Sequence, residues 1–308
     1  MIGLAIRESA TSIAGLLADA GWLLLLLVPL HTVPLFLDVV GWRVLILEPA
    51  RTRSLFLIAA IREAINRLLP VANVGGELVG IRLLARHGVR SSTAAASVIV
   101  EMQLHVVALY LYVELGLACL LRLTDKIAGS SALFAIIASP LPLGLFAAWL
   151  ARRGTLLKVV ESIGARVPIA KVERLSASSR VAPLRTAITR LASAYGRLSL
   201  SVILQLLGLI VGCLETWLAL RWLGHPLSFE GALILEATTL AVRSLIFVAP
   251  AGLGVQEAGL VGIGHVLGLG GDVSVALSLA KRMREIVFGL PALAAWYAVT
   301  RPKPVMAL

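Results

Sequence analysis

Two segments of the chain set a carboxylate seven residues after a proline, with glycines between. In the first, Pro70 precedes Gly75, Gly76 and Glu77; in the second, Pro250 precedes Gly252, Gly254 and Glu257. The two motifs lie 180 positions apart. Each interrupts an apolar stretch, and each should break a helix. Proline has no N–H to donate, and glycine tolerates conformations that other residues avoid. A carboxylate just past such a break has two uses. It can stabilise the next helix N-terminus by about 0.3–1 kcal/mol, or it can stand in a transport path. Both uses stay open for Glu77 and Glu257.

Other polar groups gather near the breaks. Asn66 and Arg67 fall where the first half-helix should end, and Arg243 lies just before the second break. With the half-helix N-termini, Arg67 and Arg243 would bring positive charge beside Glu77 and Glu257. Such a cavity suits a lipid headgroup that carries phosphate or hydroxyls. The expected binding set is therefore Asn66, Arg67, Pro70, Gly75, Gly76, Glu77, Arg243, Pro250, Gly252, Gly254 and Glu257.

An ionisable group at the centre of a membrane helix costs about 2.5–3.5 kcal/mol on insertion scales, so it usually faces a partner or a cavity. Glu101, His105, Lys281, Arg282 and Glu285 form a candidate charge relay on that ground. The 180-residue offset pairs Glu101 with Lys281, His105 with Glu285, and Glu63 with Arg243. These are opposite or proton-exchanging types that could face one another across a cavity. A local alternative exists for Lys281 and Glu285, which stand four apart and could pair on one helix face. Arg82 and Arg86 are expected to reach back to the membrane surface.

The elements that carry these residues must be membrane helices. Of the 308 residues, 59% are hydrophobic and 15% charged, with a mean hydropathy of +0.94. A soluble domain carries about 25% charged residues. The whole chain reads as one all-α polytopic transmembrane domain, 1–308. Crossings are expected at 20–40, 92–121, 132–150, 200–222 and 275–299. Broken hairpins are expected at about 55–90 and 230–270. Asp19 interrupts the N-terminal stretch, and the apolar run after it is long enough to remain as a helix, so no cleavable signal is expected.

The flanking helices share the offset of the motifs. Residues 20–121 and 199–300 each read as crossing, broken hairpin, crossing, joined by the crossing at 132–150. Between them, 151–198 is strongly basic and should be cytoplasmic. Parity then sends the two hairpins in from opposite faces, which is an inverted-topology repeat with two re-entrant hairpins. In transporters, such repeats bring broken helices together near the midplane. The same rule places the C-terminus in the cytoplasm of a bacterial inner membrane.

The net charge of +11 lies between apolar stretches, so it points to anionic lipid headgroups at the basic loop rather than to nucleic acid. Cys119 and Cys213 sit apart in apolar runs and read as packing residues. The chain has no phosphate-binding loop, metal-ligand cluster or nucleophile motif, so no cofactor, metal or catalytic residue is expected. Beyond membrane lipids, a second copy of the chain or lipid-synthesis enzymes are the partners left open.

Three stretches carry a resemblance: NRLLPVANVGGELVGIRLL, FVAPAGLGVQEAGLVG and ALSLAKRMREIVFGLPALAAWY. They resemble the flippase-like transmembrane domain of lysylphosphatidylglycerol synthases and its stand-alone relatives. The spacing is also similar to members associated with bacterial hopanoid biosynthesis. The resemblance implies two re-entrant hairpins and movement of a lipid between leaflets. No soluble aminoacyl-transferase domain follows the last helix within these residues, so lipid aminoacylation is not implied. The leading expectation is a lipid flippase. The alternatives are a membrane-embedded enzyme on a lipid-linked substrate, an ion-coupled small-solute carrier, and a non-transporting scaffold.

Overall fold

A computed structural model describes residues 2–69, 75–123, 177–245 and 255–300. Every element among them is helical: α1 (Ile2–Ala20), a 3-10 turn (Gly21–Leu26), α2 (Leu27–Leu45), α3 (Thr52–Leu68), α4 (Gly75–Arg86), α5 (Ser91–Leu123), α6 (Ala177–Ala192), α7 (Tyr195–Trp222), α8 (Phe229–Leu245), α9 (Val255–Val266) and α10 (Gly271–Thr300). The expected crossing at 132–150 and most of the basic loop lie outside the described residues. So do Pro70, Pro250, Gly252 and Gly254.

Among the described residues, three stretches are long and apolar enough to cross a membrane: Ala10–Leu45, Ser91–Arg122 and Tyr195–Trp222. α10 is as long, but it carries Lys281, Arg282, Arg284 and Glu285 near its middle. The first crossing begins earlier than expected. α1 adds a turn-spaced face, Ile13, Leu16, Leu17 and Ala20, that packs with Leu277 and Ala280 of α10.

Large apolar side chains such as Trp22, Phe36, Ile203 and Leu290 point outward, while Gln205, Glu215, Lys281, Arg284 and Glu285 are buried. A water-soluble fold would reverse that distribution. With the bilayer as solvent the arrangement is favourable, because a helix satisfies most of its backbone groups internally. The protein is an all-α membrane protein.

The helices α2 and α7 pack antiparallel along their length. Leu24 and Leu27 lie with Leu220 and Leu223 at one end, and Gly41 lies against Ser201 and Gln205 towards the other. α3 packs on α10, and α8 packs on α5. Each pairing of one half has its counterpart in the other: α3 with α4 and α8 with α9, α4 with α5 and α9 with α10. α4 and α9 both contain 12 residues, about 18 Å of helix, against about 30 Å of hydrocarbon. Both end on a glycine in the left-handed region, Gly88 (φ 93°) and Gly268 (φ 79°). The amides after them close the helix ends, Val89 to the Leu84 carbonyl at 3.4 Å and Leu269 to the Gly264 carbonyl at 2.8 Å. Left-handed glycine is the common solution for a helix that must stop and turn.

Candidate functional site

Helices α2, α3, α4, α5, α7, α8 and α10 line a cavity of about 600 Å³. Among the described residues, its lining contains six carboxylates (Asp38, Glu63, Glu77, Glu101, Glu215 and Glu236), four strong bases (Arg62, Arg67, Lys281 and Arg284) and two histidines (His31 and His105). A bilayer interior makes such groups expensive alone, and nearly all of them are paired.

The first centre is Arg62. It is 8% exposed, and its guanidinium reaches Glu77 on α4 and Glu101 on α5, the latter at 2.7 Å. Its plane lies 4.7 Å from the centre of the Trp42 ring. Asn66, one turn later on α3, donates to Glu77 at 3.2 Å and accepts the Gly76 amide at 2.9 Å. The paired glycines have a steric role here. A Cβ on Gly76 would collide with the Arg62 carbonyl, and one on Gly80 would lie 2.6 Å from Arg62 Cδ. The glycines therefore let α4 lie directly on α3. Glu77 sits in the first turn of α4, where a carboxylate suits the helix dipole. Its side chain is turned to Arg62 and Asn66 at the cavity.

The second centre is His31. Its Nδ1 lies 2.8 Å from Glu215, and its Nε2 lies 3.0 Å from both oxygens of Glu63. Arg284 bonds Glu215 at 3.1 Å and also touches His31 Nδ1. Phe288 meets the imidazole edge-on at 5.1 Å between ring centres. On the same side, Glu285 pairs with Arg282 at 3.0 Å and with Arg67 at 3.6 Å. A third pair joins α8 to α10: Lys281 contacts Glu236, which also accepts the Thr216 hydroxyl at 2.6 Å. His105 meets Gln205 at 3.1 Å. Oδ1 of Asp38 is sealed from solvent with no hydrogen-bond partner among the described residues.

The cavity thus gathers Asn66, Arg67, Glu77, Glu101, His105 and Lys281 of the expected set. Arg282 and Glu285 belong to the adjoining ion-pair cluster. Gly75 and Gly76 begin α4. Arg243 and Glu257 lie within α8 and α9; their side chains are outside the description. Two of the expected cross-cavity partners differ. Glu101 binds Arg62 rather than Lys281, and His105 meets Gln205 rather than Glu285; Glu63 binds His31, and the side chain of Arg243, its expected counterpart, lies outside the description. The local pairing on α10 is Arg282 with Glu285, since Lys281 turns to α8. The cavity is expected to set positive charge beside carboxylates; among the described residues carboxylates outnumber the strong bases, because α2, α7 and α8 contribute Asp38, Glu215 and Glu236.

Sequence reasoning left out His31, Asp38, Arg62, Glu215, Glu236 and Arg284. Their signal was available: each is an ionisable residue inside an apolar stretch. Arg62 stands four before Asn66, and His31 stands seven before Asp38, spacings that share a helix face.

Residues 3–292 match the family described as the lysylphosphatidylglycerol synthase TM region. The chain belongs to this family of membrane proteins with a lipid-related role. No curated protein and no solved structure matches it.

Proposed function

We propose that the protein is a lipid flippase that moves a phospholipid, hopanoid or related lipid between leaflets of the bacterial inner membrane. The observation that carries this reading is the charged cavity of about 600 Å³ inside a molecule with an apolar exterior. A headgroup can exchange its hydration for Arg62, Arg67, Lys281 and the carboxylates, while its tails stay in lipid. The mixed lining suits a headgroup with both a phosphate and hydrogen-bond donors. The family membership supports a lipid as the cargo.

The helices α3–α4 and α8–α9 act as two re-entrant hairpins of an inverted repeat, entering from the cytoplasmic and the opposite face. Their short second helices and the antiparallel α2 and α7 support this arrangement. The basic stretch 151–198 and the C-terminus lie in the cytoplasm, where the basic stretch meets anionic headgroups. The protein carries its cargo without making or breaking covalent bonds. The test is reconstitution into vesicles with headgroup-labelled phosphatidylethanolamine or phosphatidylglycerol, followed by quenching with an impermeant reductant. Protein-dependent exposure of inner-leaflet label that falls with Glu77→Gln supports the reading. Absence of movement for every lipid class tried, hopanoids included, overturns it.

A further inference from the structure

Headgroup binding does not require the arrangement around His31. A carboxylate can only accept hydrogen bonds, and a neutral imidazole has a single N–H. Yet both ring nitrogens face carboxylates, Nδ1 at 2.8 Å from Glu215 and Nε2 at 3.0 Å from Glu63. The ring can donate to both ionised carboxylates only when both nitrogens carry a proton, whereas the Arg284 contact at Nδ1 belongs to the state in which that nitrogen is bare. The triad is thus built to hold one proton more than a neutral histidine between two carboxylates.

Arg284 makes the second state equally satisfied. Its guanidinium touches both Glu215 and His31 Nδ1. When Nδ1 loses its proton it becomes an acceptor, and Arg284 supplies the donor. Glu215 keeps its bond from Arg284 throughout, and Glu63 keeps the remaining N–H at Nε2. In either state His31, Glu63 and Glu215 each keep a hydrogen-bond partner, and losing one is what would make proton exchange costly.

The surrounding charges come from every helix packed on α2. Glu63 and Arg67 face inward from α3, Glu215 from α7 and Arg284 from α10, with Glu285 beside Arg284. Glu101 and His105 on α5 line the same cavity, as does Asp38 on α2 itself. His31 therefore opens to the space that the cargo would occupy.

We infer that the Glu63–His31–Glu215 triad is a proton-binding site that couples lipid movement to a proton gradient. One proton from water in the cavity binds Nδ1 in one state of the carrier. It leaves from the same atom to water on the opposite side in the other. The inference rests on the transport reading above.

The test uses purified protein in phosphatidylethanolamine–phosphatidylglycerol vesicles with a headgroup-labelled lipid, an enclosed pH dye and an imposed gradient. For one proton per lipid, a gradient of about two pH units drives a leaflet ratio of up to about 100-fold. The wild type is expected to accumulate label in one leaflet and to move protons with it. In His31→Gln the ratio should fall to one. Glu63→Gln, which leaves the imidazole a single carboxylate, should do the same, and it serves where His31→Gln elutes as misfolded. A wild type that moves label with a ratio of one and no proton flux overturns the coupling and leaves the transport reading standing. Gradient-driven accumulation that persists in both variants overturns the assignment to this triad. A wild type that moves no label overturns the transport reading, and coupling with it.

Discussion

Replacing Arg62 with methionine should expose how the fold is held around the cavity. Methionine keeps much of the length and apolar volume that packs against Gly80 and Trp42, so the change removes mainly the charge. Two carboxylates, Glu77 and Glu101, then lose their shared cation. Breaking a buried ion pair from one side costs about 3–5 kcal/mol, because a charge is left uncompensated. Asn66 still donates to Glu77 at 3.2 Å, which favours the lower half of that range. At about 2–4 °C per kcal/mol, that lower half corresponds to about 6–16 °C in unfolding temperature. Thermal unfolding of the purified protein in detergent, followed by circular dichroism, measures it. Adding Glu77→Gln and Glu101→Gln to Arg62→Met removes the stranded charges and should recover at least half of the loss. A single variant that unfolds with the wild type, or a triple variant no better than the single, would refute the reasoning.

The glycine that seats α4 on α3 gives a sharper contrast. Gly76→Ala drives a Cβ into the Arg62 carbonyl and should cost about 1–3 kcal/mol, whereas Gly262→Ala on α9, whose Cβ meets nothing within 4 Å, should be neutral or stabilise by up to about 1 kcal/mol; the same unfolding assay compares them. Glu48, in the turn between α2 and α3, binds the Arg90 amide at 2.8 Å, the Arg90 side chain at 2.6 Å and the Thr93 hydroxyl at 2.9 Å, closing the start of α5. Partial burial pushes its carboxyl up, but the bonds from Arg90 and Thr93 outweigh this and hold it below the ordinary 4.5. Its contribution is therefore complete above that value and fades as the pH falls through the lowered one. Glu48→Gln should lose about 1 kcal/mol near neutral pH, and the gap to wild type should close in unfolding scans taken towards pH 3.

Much of the fold was legible because membrane helices announce themselves by length and apolar content. The boundaries expected for α5, α7 and α10 fall within a few residues of those observed. α1 was missed because Asp19 and Gly21 break the apolar pattern near its end, and its packing on α10 is a tertiary fact. The site was half legible. Glu77 and Asn66 stood out beside a Pro–Gly break, and Glu101 and His105 stood one turn apart in an apolar helix. His31 and Glu215 did not, since each lies within a crossing, away from the Pro–Gly breaks. Their meaning comes from α2 and α7 packing antiparallel, which brings together residues 184 positions apart. Partner choice was equally hidden. Glu101 lies near its sequence counterpart in the repeat only in spacing, while the rotamers of Arg62 and Lys281 decide which carboxylate each one meets.

The central claim is that the lipid headgroup passes through the charged cavity, and Gly212 offers the most direct way to test it. Gly212 lines the cavity, and a Cβ there would have only Pro34 Cβ nearby, at 3.9 Å. A large side chain at this position should therefore project into open space without disturbing the helix pairing. The measurement is lipid translocation in vesicles by Gly212→Trp, alongside its unfolding temperature in detergent. The account predicts wild-type stability and loss of most translocation. Translocation at the wild-type rate by the folded, plugged variant would contradict it.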